Sequence, residues 1–215
     1  MLLQKNNLLI IIAMVMFLSA CNQRKKSFWE NGSLRSELNY KSGKLNGPAI
    51  WYFDNGFREQ EAFYVDNKLH GEMKRWYYHG PIESVSHYNM GVLEGMAITY
   101  NEEGDKVVKE TYKNDTLHGP YYQWYPNGQL MIEGAYENGL FSGNWMYYDE
   151  TAKLVGVGNY EMGTGTQKAW WPNGNLKRSI SYKNNLKHGD ERWFDEKGNL
   201  QKVVHYDEGI EVKQN

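Results

Sequence analysis

With 24 Lys and Arg against 26 Asp and Glu, a formal charge of −2 and a single cysteine in 215 residues, the chain cannot close an internal disulfide and has no basic surplus for nucleic acid. Aromatic residues make up 15% of it, and 22 glycines but only 5 prolines punctuate it, which favours many short strands and turns over helices.

The first stretch differs from all that follows. Lys5 precedes an uncharged apolar run from Leu8 to Phe17, and the small residues Ser19 and Ala20 lead to Cys21. A charged start, a short apolar run and a small-residue cleavage site are the layout of a secretory signal, and the run is too short to cross a bilayer comfortably. Leu18-Ser19-Ala20-Cys21 resembles the lipobox of bacterial lipoproteins, which implies acylation at Cys21 and attachment to a membrane through it. The expected organisation is a lipoprotein signal peptide over 1–20, a tether over 21–27 carrying Arg24-Lys25-Lys26, and one repeat array over 28–212. The expected place is the bacterial cell envelope, on the periplasmic face of the outer membrane, the protein being held there by its lipid.

From residue 28 onward the chain repeats. Aligning turn glycines gives Gly32, Gly56, Gly80, Gly104, Gly128, then Ala152 in a degenerate copy, then Gly174 and Gly198. Four positions before each sits a ring: Phe28, Tyr52, Trp76, Tyr100, Trp124, Tyr148, Trp170 and Phe194. Eight positions after each sits a tyrosine: Tyr40, Tyr64, Tyr88, Tyr112, Tyr136, Tyr160, Tyr182 and Tyr206. A fixed period in this range signals stacked supersecondary units, each of which buries its apolar side only against its neighbours.

Pro126-Asn127-Gly128 and Pro172-Asn173-Gly174 put proline at the second residue of a type I turn and glycine where the chain next needs positive φ, the pattern of a hairpin loop with a glycine bulge. Counting outward from such a loop sets the ring at −4 opposite the residue at +2, usually leucine, and sends the tyrosine at +8 to the same face. That face is the expected core. Leu45, Leu69, Leu93, Leu117 and Phe141 plug a second link in each unit. The sixth unit has lost two residues there, around Glu161-Met162-Gly163-Thr164, and an irregularity of twist or groove is expected at that point. The fold class is all-β: an elongated single-layer antiparallel meander of about eight stacked β-hairpins.

The unit Trp/Tyr-x-x-Asn-Gly-x-Leu, followed by Tyr and by Leu-x-Gly, resembles the bacterial variant of the MORN repeat over about residues 28 to 212. The resemblance implies an antiparallel β array that binds rather than catalyses. Proteins of this kind include antitoxin components of toxin–antitoxin modules and lipoproteins of unassigned role.

No chemistry-bearing cluster stands out beside the repeat. His70, His118 and His188 recur, but two hairpins separate the first two, about 19 Å at the usual strand spacing, too far to share one ion. Asp149-Glu150 and Asp190-Glu191 are sequence neighbours, and adjacent strand residues point to opposite faces, unlike an opposed acid/base pair. Gly156-Val157-Gly158 and Gly163-Thr164-Gly165 lack the Lys-Ser/Thr and the helix of a phosphate loop. No catalytic residue, metal or cofactor is expected. The remaining signal is aromatic surplus. Trp51, Phe53, Tyr77, Tyr125, Trp171 and Trp193, at −5 or −3 in their units, are expected to turn outward as a binding surface. The expected partner is a protein; a cell-wall glycan stacking on the same rings and an antitoxin or immunity role are the alternatives.

Overall fold

The computed structural model describes residues 22–212, so the segment read as a signal peptide and the Cys21 lipidation site lie outside the described residues. The elements are all strands: β1 (Asn22–Phe28), β2 (Leu34–Lys41), β3 (Lys44–Tyr52), β4 (Arg58–Val65), β5 (Lys68–Leu69), β6 (Gly71–Trp76), β7 (Ile82–Asn89), β8 (Val92–Tyr100), β9 (Lys106–Lys113) and β10 (Thr116–Leu117). They continue as β11 (Gly119–Trp124), β12 (Leu130–Glu137), β13 (Leu140–Tyr148), β14 (Leu154–Glu161), β15 (Thr164–Trp170), β16 (Leu176–Lys183), β17 (Leu186–Phe194), β18 (Leu200–Asp207) and β19 (Ile210–Val212). All join one 19-stranded open antiparallel sheet in hairpin succession, the meander that the repeat predicts. β5 and β6 both pair with β4, and β10 and β11 with β9, so each couple is one strand interrupted at His70 or His118.

Residues 22–27, read above as a tether, are instead part of β1, which pairs with β2 from Asn22↔Lys41 to Phe28↔Leu34. The basic run is what seats it. Arg24 and Lys26 lie two apart on one face and both pair with Glu37, while Lys25 on the other face lies 4.7 Å from the Tyr40 ring centre. A charge run that reads as solvated linker is thus the outward half of a strand whose partner carries the counter-charge.

The turn that sets the register is the expected one. Gly56 N–H donates to the Phe53 carbonyl at 3.0 Å, Phe53 N–H donates to the Phe57 carbonyl at 2.9 Å, and Gly56 takes φ +87°. Tyr52 then pairs with Arg58, as the count from the turn requires. The next pair, however, is Trp51↔Gln60, leaving Glu59 as an extra residue. This second bulge reverses the side on which everything beyond it falls. Tyr64, opposite Gly47, therefore shares a face with Trp51 and Ala49 and not with Tyr52. The expectation that the −4 ring, the +2 leucine and the +8 tyrosine form one core face is corrected accordingly.

Packing follows the corrected faces. Trp51 meets Tyr64 edge-on with ring centres 6.2 Å apart, Tyr121 meets Tyr136 at 5.7 Å, and the −4 ring Trp124 stacks on Tyr122 of the opposite face at 6.0 Å. Among the described residues the buried apolar side chains, Ala49, Ala62, Trp145, Tyr160, Ile180 and Val204, stand at −7, +6 or +8, on the tyrosine face. Phe28, Leu154 and Leu200, from the −4 and +2 positions, are exposed. The densest packing surrounds Trp145, whose ring stacks on Tyr121 at 5.5 Å and touches Tyr136, Phe141 and Tyr160.

The second links are two-residue turns with both central residues at positive φ, such as Asp66 (49°) and Asn67 (70°), the hairpin geometry whose twist suits flanking strands. They form a ladder along one border of the sheet, each turn donating an N–H to the preceding one: Asn67 to Leu45, Gly91 to Leu69, Gly139 to Leu117. The two-residue loss in unit six has a definite result. The β14–β15 register runs unbroken from Gly156↔Ala169 to Glu161↔Thr164, where other second links carry a bulge. Its turn, Met162-Gly163, keeps two residues, and Asn185 reaches past it, donating to the Gly139 carbonyl at 2.8 Å and accepting from Phe141 N–H at 2.8 Å. An alanine in place of Gly163 would put its Cβ 2.7 Å from that Asn185 oxygen.

Candidate functional site

The six rings expected as a surface are all half-buried, and most of them tie repeats together. At −3, the Tyr77 hydroxyl donates to the Tyr100 carbonyl at 2.7 Å, the Tyr125 hydroxyl to the Tyr148 carbonyl at 2.9 Å, and the Trp171 indole N–H to the Phe194 carbonyl at 3.0 Å. Trp29 does the same to Tyr52 at 2.9 Å. Each of these rings reaches from its own unit to the −4 residue of the next. Phe53 has no donor and meets Tyr78 edge-on at 5.2 Å. Trp51 lies on the tyrosine face against Tyr64.

The receiving units are built differently at −3. Asn101, Asp149 and Asp195 turn their side-chain oxygens back onto their own loops, accepting from Asp105, from Thr151 and Lys153, and from Lys197 and Asn199. These bonds hold the carboxyls of Asp149 and Asp195 below the usual carboxylate range, led by Thr151 for the first and Asn199 for the second. Units three and four, five and six, and seven and eight are therefore linked as donor and receiver. At −1, Asn55, Asn127 and Asn173 donate forward to the next turn, reinforcing the same border.

Of the six rings, Trp171 and Trp193 line one concavity together. A cleft of about 460 Å³ opens where units six to eight meet, walled by Val155, Ala169, Trp170, Trp171, Pro172 and Trp193, with Asp149, Lys177 and Arg178 as its charged members. Its size falls in the range of small-ligand or single-side-chain sites. Both indoles carry a cation: the Lys177 ammonium lies 4.4 Å from the Trp171 ring centre and the Arg178 guanidinium 4.9 Å from that of Trp193.

Behind the cleft lies the most deeply buried charge described. Glu191 is 2% exposed and has the Arg178 Nε at 2.6 Å and the Lys187 Nζ at 2.9 Å. The Arg178 contact is close in distance but lacks the alignment of a hydrogen bond, so it counts as an ion pair only. Burial works against the Lys187 ammonium, yet its bond to Glu191 holds its pKa above the ordinary lysine value. Around this pair the tyrosines are desolvated, and burial pushes Tyr147 up to about 12, as it does Tyr136 one unit away. At neutral pH these phenols are uncharged, so around the cleft the tyrosine face is polar at its hydroxyls and charged at Arg178, Lys187 and Glu191.

Sequence reasoning singled out Trp171 and Trp193, assigned Trp170 to the core, set Glu191 aside with Asp190 as no opposed pair, and missed Arg178. The Trp170-Trp171-Pro172 doublet was the available signal for the cleft. The histidines lie apart: His188 Nδ1 is 3.3 Å from Asp207, His205 is 2.9 Å from Asp190, and His70 and His118 mark the strand interruptions. Among the described residues no three His, Cys, Asp or Glu side chains converge as a metal site would require.

No curated protein matches the chain. Four of its segments, residues 24–42, 117–138, 164–184 and 187–208, match the family described as MORN repeat variant. The first takes in most of β1, in keeping with that strand being part of the first hairpin, and the last two contain all of the cleft lining except Asp149 and Val155.

Proposed function

We propose that this protein is a membrane-anchored, non-catalytic repeat scaffold that binds another protein at the bacterial envelope, with the Trp171–Trp193 cleft as its contact point. The observation that carries the reading is that these two indoles line one open concavity together. Apolar rings that remain half-exposed around a recess, bordered by charge, are the composition of a binding hot spot. Attachment through acylated Cys21 is supported by the Leu18-Ser19-Ala20-Cys21 motif, and the envelope location rests on that same motif.

The test is capture in cells by a photo-activated crosslinker placed on the cleft rim at Lys153, followed by mass spectrometry and repeated with Trp193→Ala. The expected result is a discrete protein adduct that the variant loses while its circular dichroism is retained. An adduct that survives Trp193→Ala in a folded protein overturns the cleft as the contact. A glycan adduct in place of a protein one overturns the class of partner.

A further inference from the structure

The cleft has a charge imbalance that narrows what it can hold. Of the cations around it, Arg178 is committed to Glu191. Lys153, Lys177 and Lys202 have no carboxylate within ion-pair distance among the described residues: Lys153 reaches only the Pro172 carbonyl at 3.5 Å, and Lys177 only the Trp171 ring. Lys202 stands directly opposite Trp193 in the β17–β18 register and is exposed. The acids nearby stay ionised but form no ion pair with these lysines: Asp149 is held by its own turn, Asp195 by Asn199 and Gln201, and Glu191 is shut behind Arg178. Three ammonium groups outside any ion pair therefore stand at or beside an indole-walled recess that contains one carboxylate, Asp149.

We infer that the cleft accepts an aromatic side chain flanked by carboxylates, carried on an acidic segment of the partner. This rests on the scaffold reading and specifies the chemistry of the same contact. A guest ring meets indole walls, which favour offset or edge-on aromatic contact. Its flanking carboxylates meet the three lysines, each an exposed pair that adds specificity and steers approach more than it adds affinity. A sugar fits less well on the same observations. One face of each indole already carries a cation, so the stacking platform is occupied, and a neutral sugar brings no charge to draw the ammonium or guanidinium away.

The experiment titrates the full-length chain with three N-acetylated peptide amides of equal length, each with one central Phe. The flanks are glutamate, glutamine or lysine, and chitobiose serves as the sugar probe. Binding is read from the indole N–H resonances of Trp171 and Trp193, assigned by Trp→Phe substitution at each. The acidic peptide should shift both resonances and bind about fivefold or more tightly than the glutamine peptide, the upper end for one exposed charge pair. Lys177→Gln with Lys202→Gln should remove that preference, as should raised salt. Equal affinity for acidic and glutamine peptides, or a response to chitobiose alone, overturns the inference. If the acidic peptide leaves both indoles unmoved while crosslinking at the rim still captures a protein, this inference falls and the scaffold reading stands. Loss of rim capture with intact peptide binding does the reverse.

Discussion

Gly134 stands at +6 in the fifth unit, where other units carry Ala62, Ile180 or Val204, and the Trp145 ring lies over it. An alanine there would set its Cβ 2.5 Å from Cε2 and 2.7 Å from Cε3 of the indole, and closer still to Cδ2. In a strand interior, Gly→Ala otherwise favours the fold by about 0.5–1 kcal/mol. Here the indole must leave its slot. It is 3% exposed, donates to the Ala135 carbonyl at 3.2 Å, and touches Tyr121, Tyr136, Phe141 and Tyr160. Overpacking costs about 1–3 kcal/mol, and removing a buried Trp outright about 3–5 kcal/mol. Gly134→Ala should therefore destabilise by about 2–3 kcal/mol, read as a drop in the urea midpoint. The same change in a Trp145→Ala background should be neutral or stabilising, a coupling of about 2 kcal/mol between residues in contact. If Gly134→Ala leaves the wild-type midpoint unchanged or raises it, the tyrosine face is not the core.

Ala152 holds φ +62° at a turn position where Gly32, Gly56, Gly80, Gly104, Gly128, Gly174 and Gly198 stand elsewhere. Left-handed geometry costs a residue with a Cβ about 1–2 kcal/mol, against about 0.5–1 kcal/mol of extra chain entropy for glycine, so Ala152→Gly should stabilise by about 0.5–1 kcal/mol; a lower thermal midpoint would contradict this. Glu37 is held below the ordinary carboxylate value, first by its hydrogen bond to Lys26 and then by that to Arg24. Because the folded value is the lower one, its contribution to docking β1 is complete above the usual carboxylate pKa and is lost as pH falls through the folded value. Amide protection factors in β1 should thus fall on acidification from about pH 6 to about pH 3, ahead of those of central strands, and Glu37→Gln should abolish that dependence. Equal protection of β1 across the range would contradict it.

The period, the turns and the meander were legible because the spacing of ring, turn residue and tyrosine recurs in all eight units, with Asn-Gly at the aligned turn in four of them. The facing of the rings was not. Glu59 and its equivalents bulge out without any Gly, Pro or Asn to mark them, and one unmarked residue exchanges the two sides of a strand. β1 was hidden for a related reason. Its Arg24-Lys25-Lys26 run has the composition of a tether, and only the pairing with Glu37 thirteen residues on makes it a strand. The cleft was half legible: Trp171 and Trp193 stood out as surplus rings, but so did Tyr77 and Tyr125, and nothing in the sequence separates a ring that bridges two units from one that also lines a recess. That difference depends on Asp149 and Trp171 of adjacent units lining the same recess, and on Arg178 being held between a buried glutamate and the Trp193 ring.

The account stands most directly on where a partner touches the sheet, and a crosslinking profile over both faces measures that. One photo-crosslinker replaces Lys153 at the cleft rim, and a second replaces Val203, which is 42% exposed on the opposite face. A protein adduct formed from position 153 and not from position 203 is the predicted result; equal yields from both, or adducts from 203 alone, would contradict it.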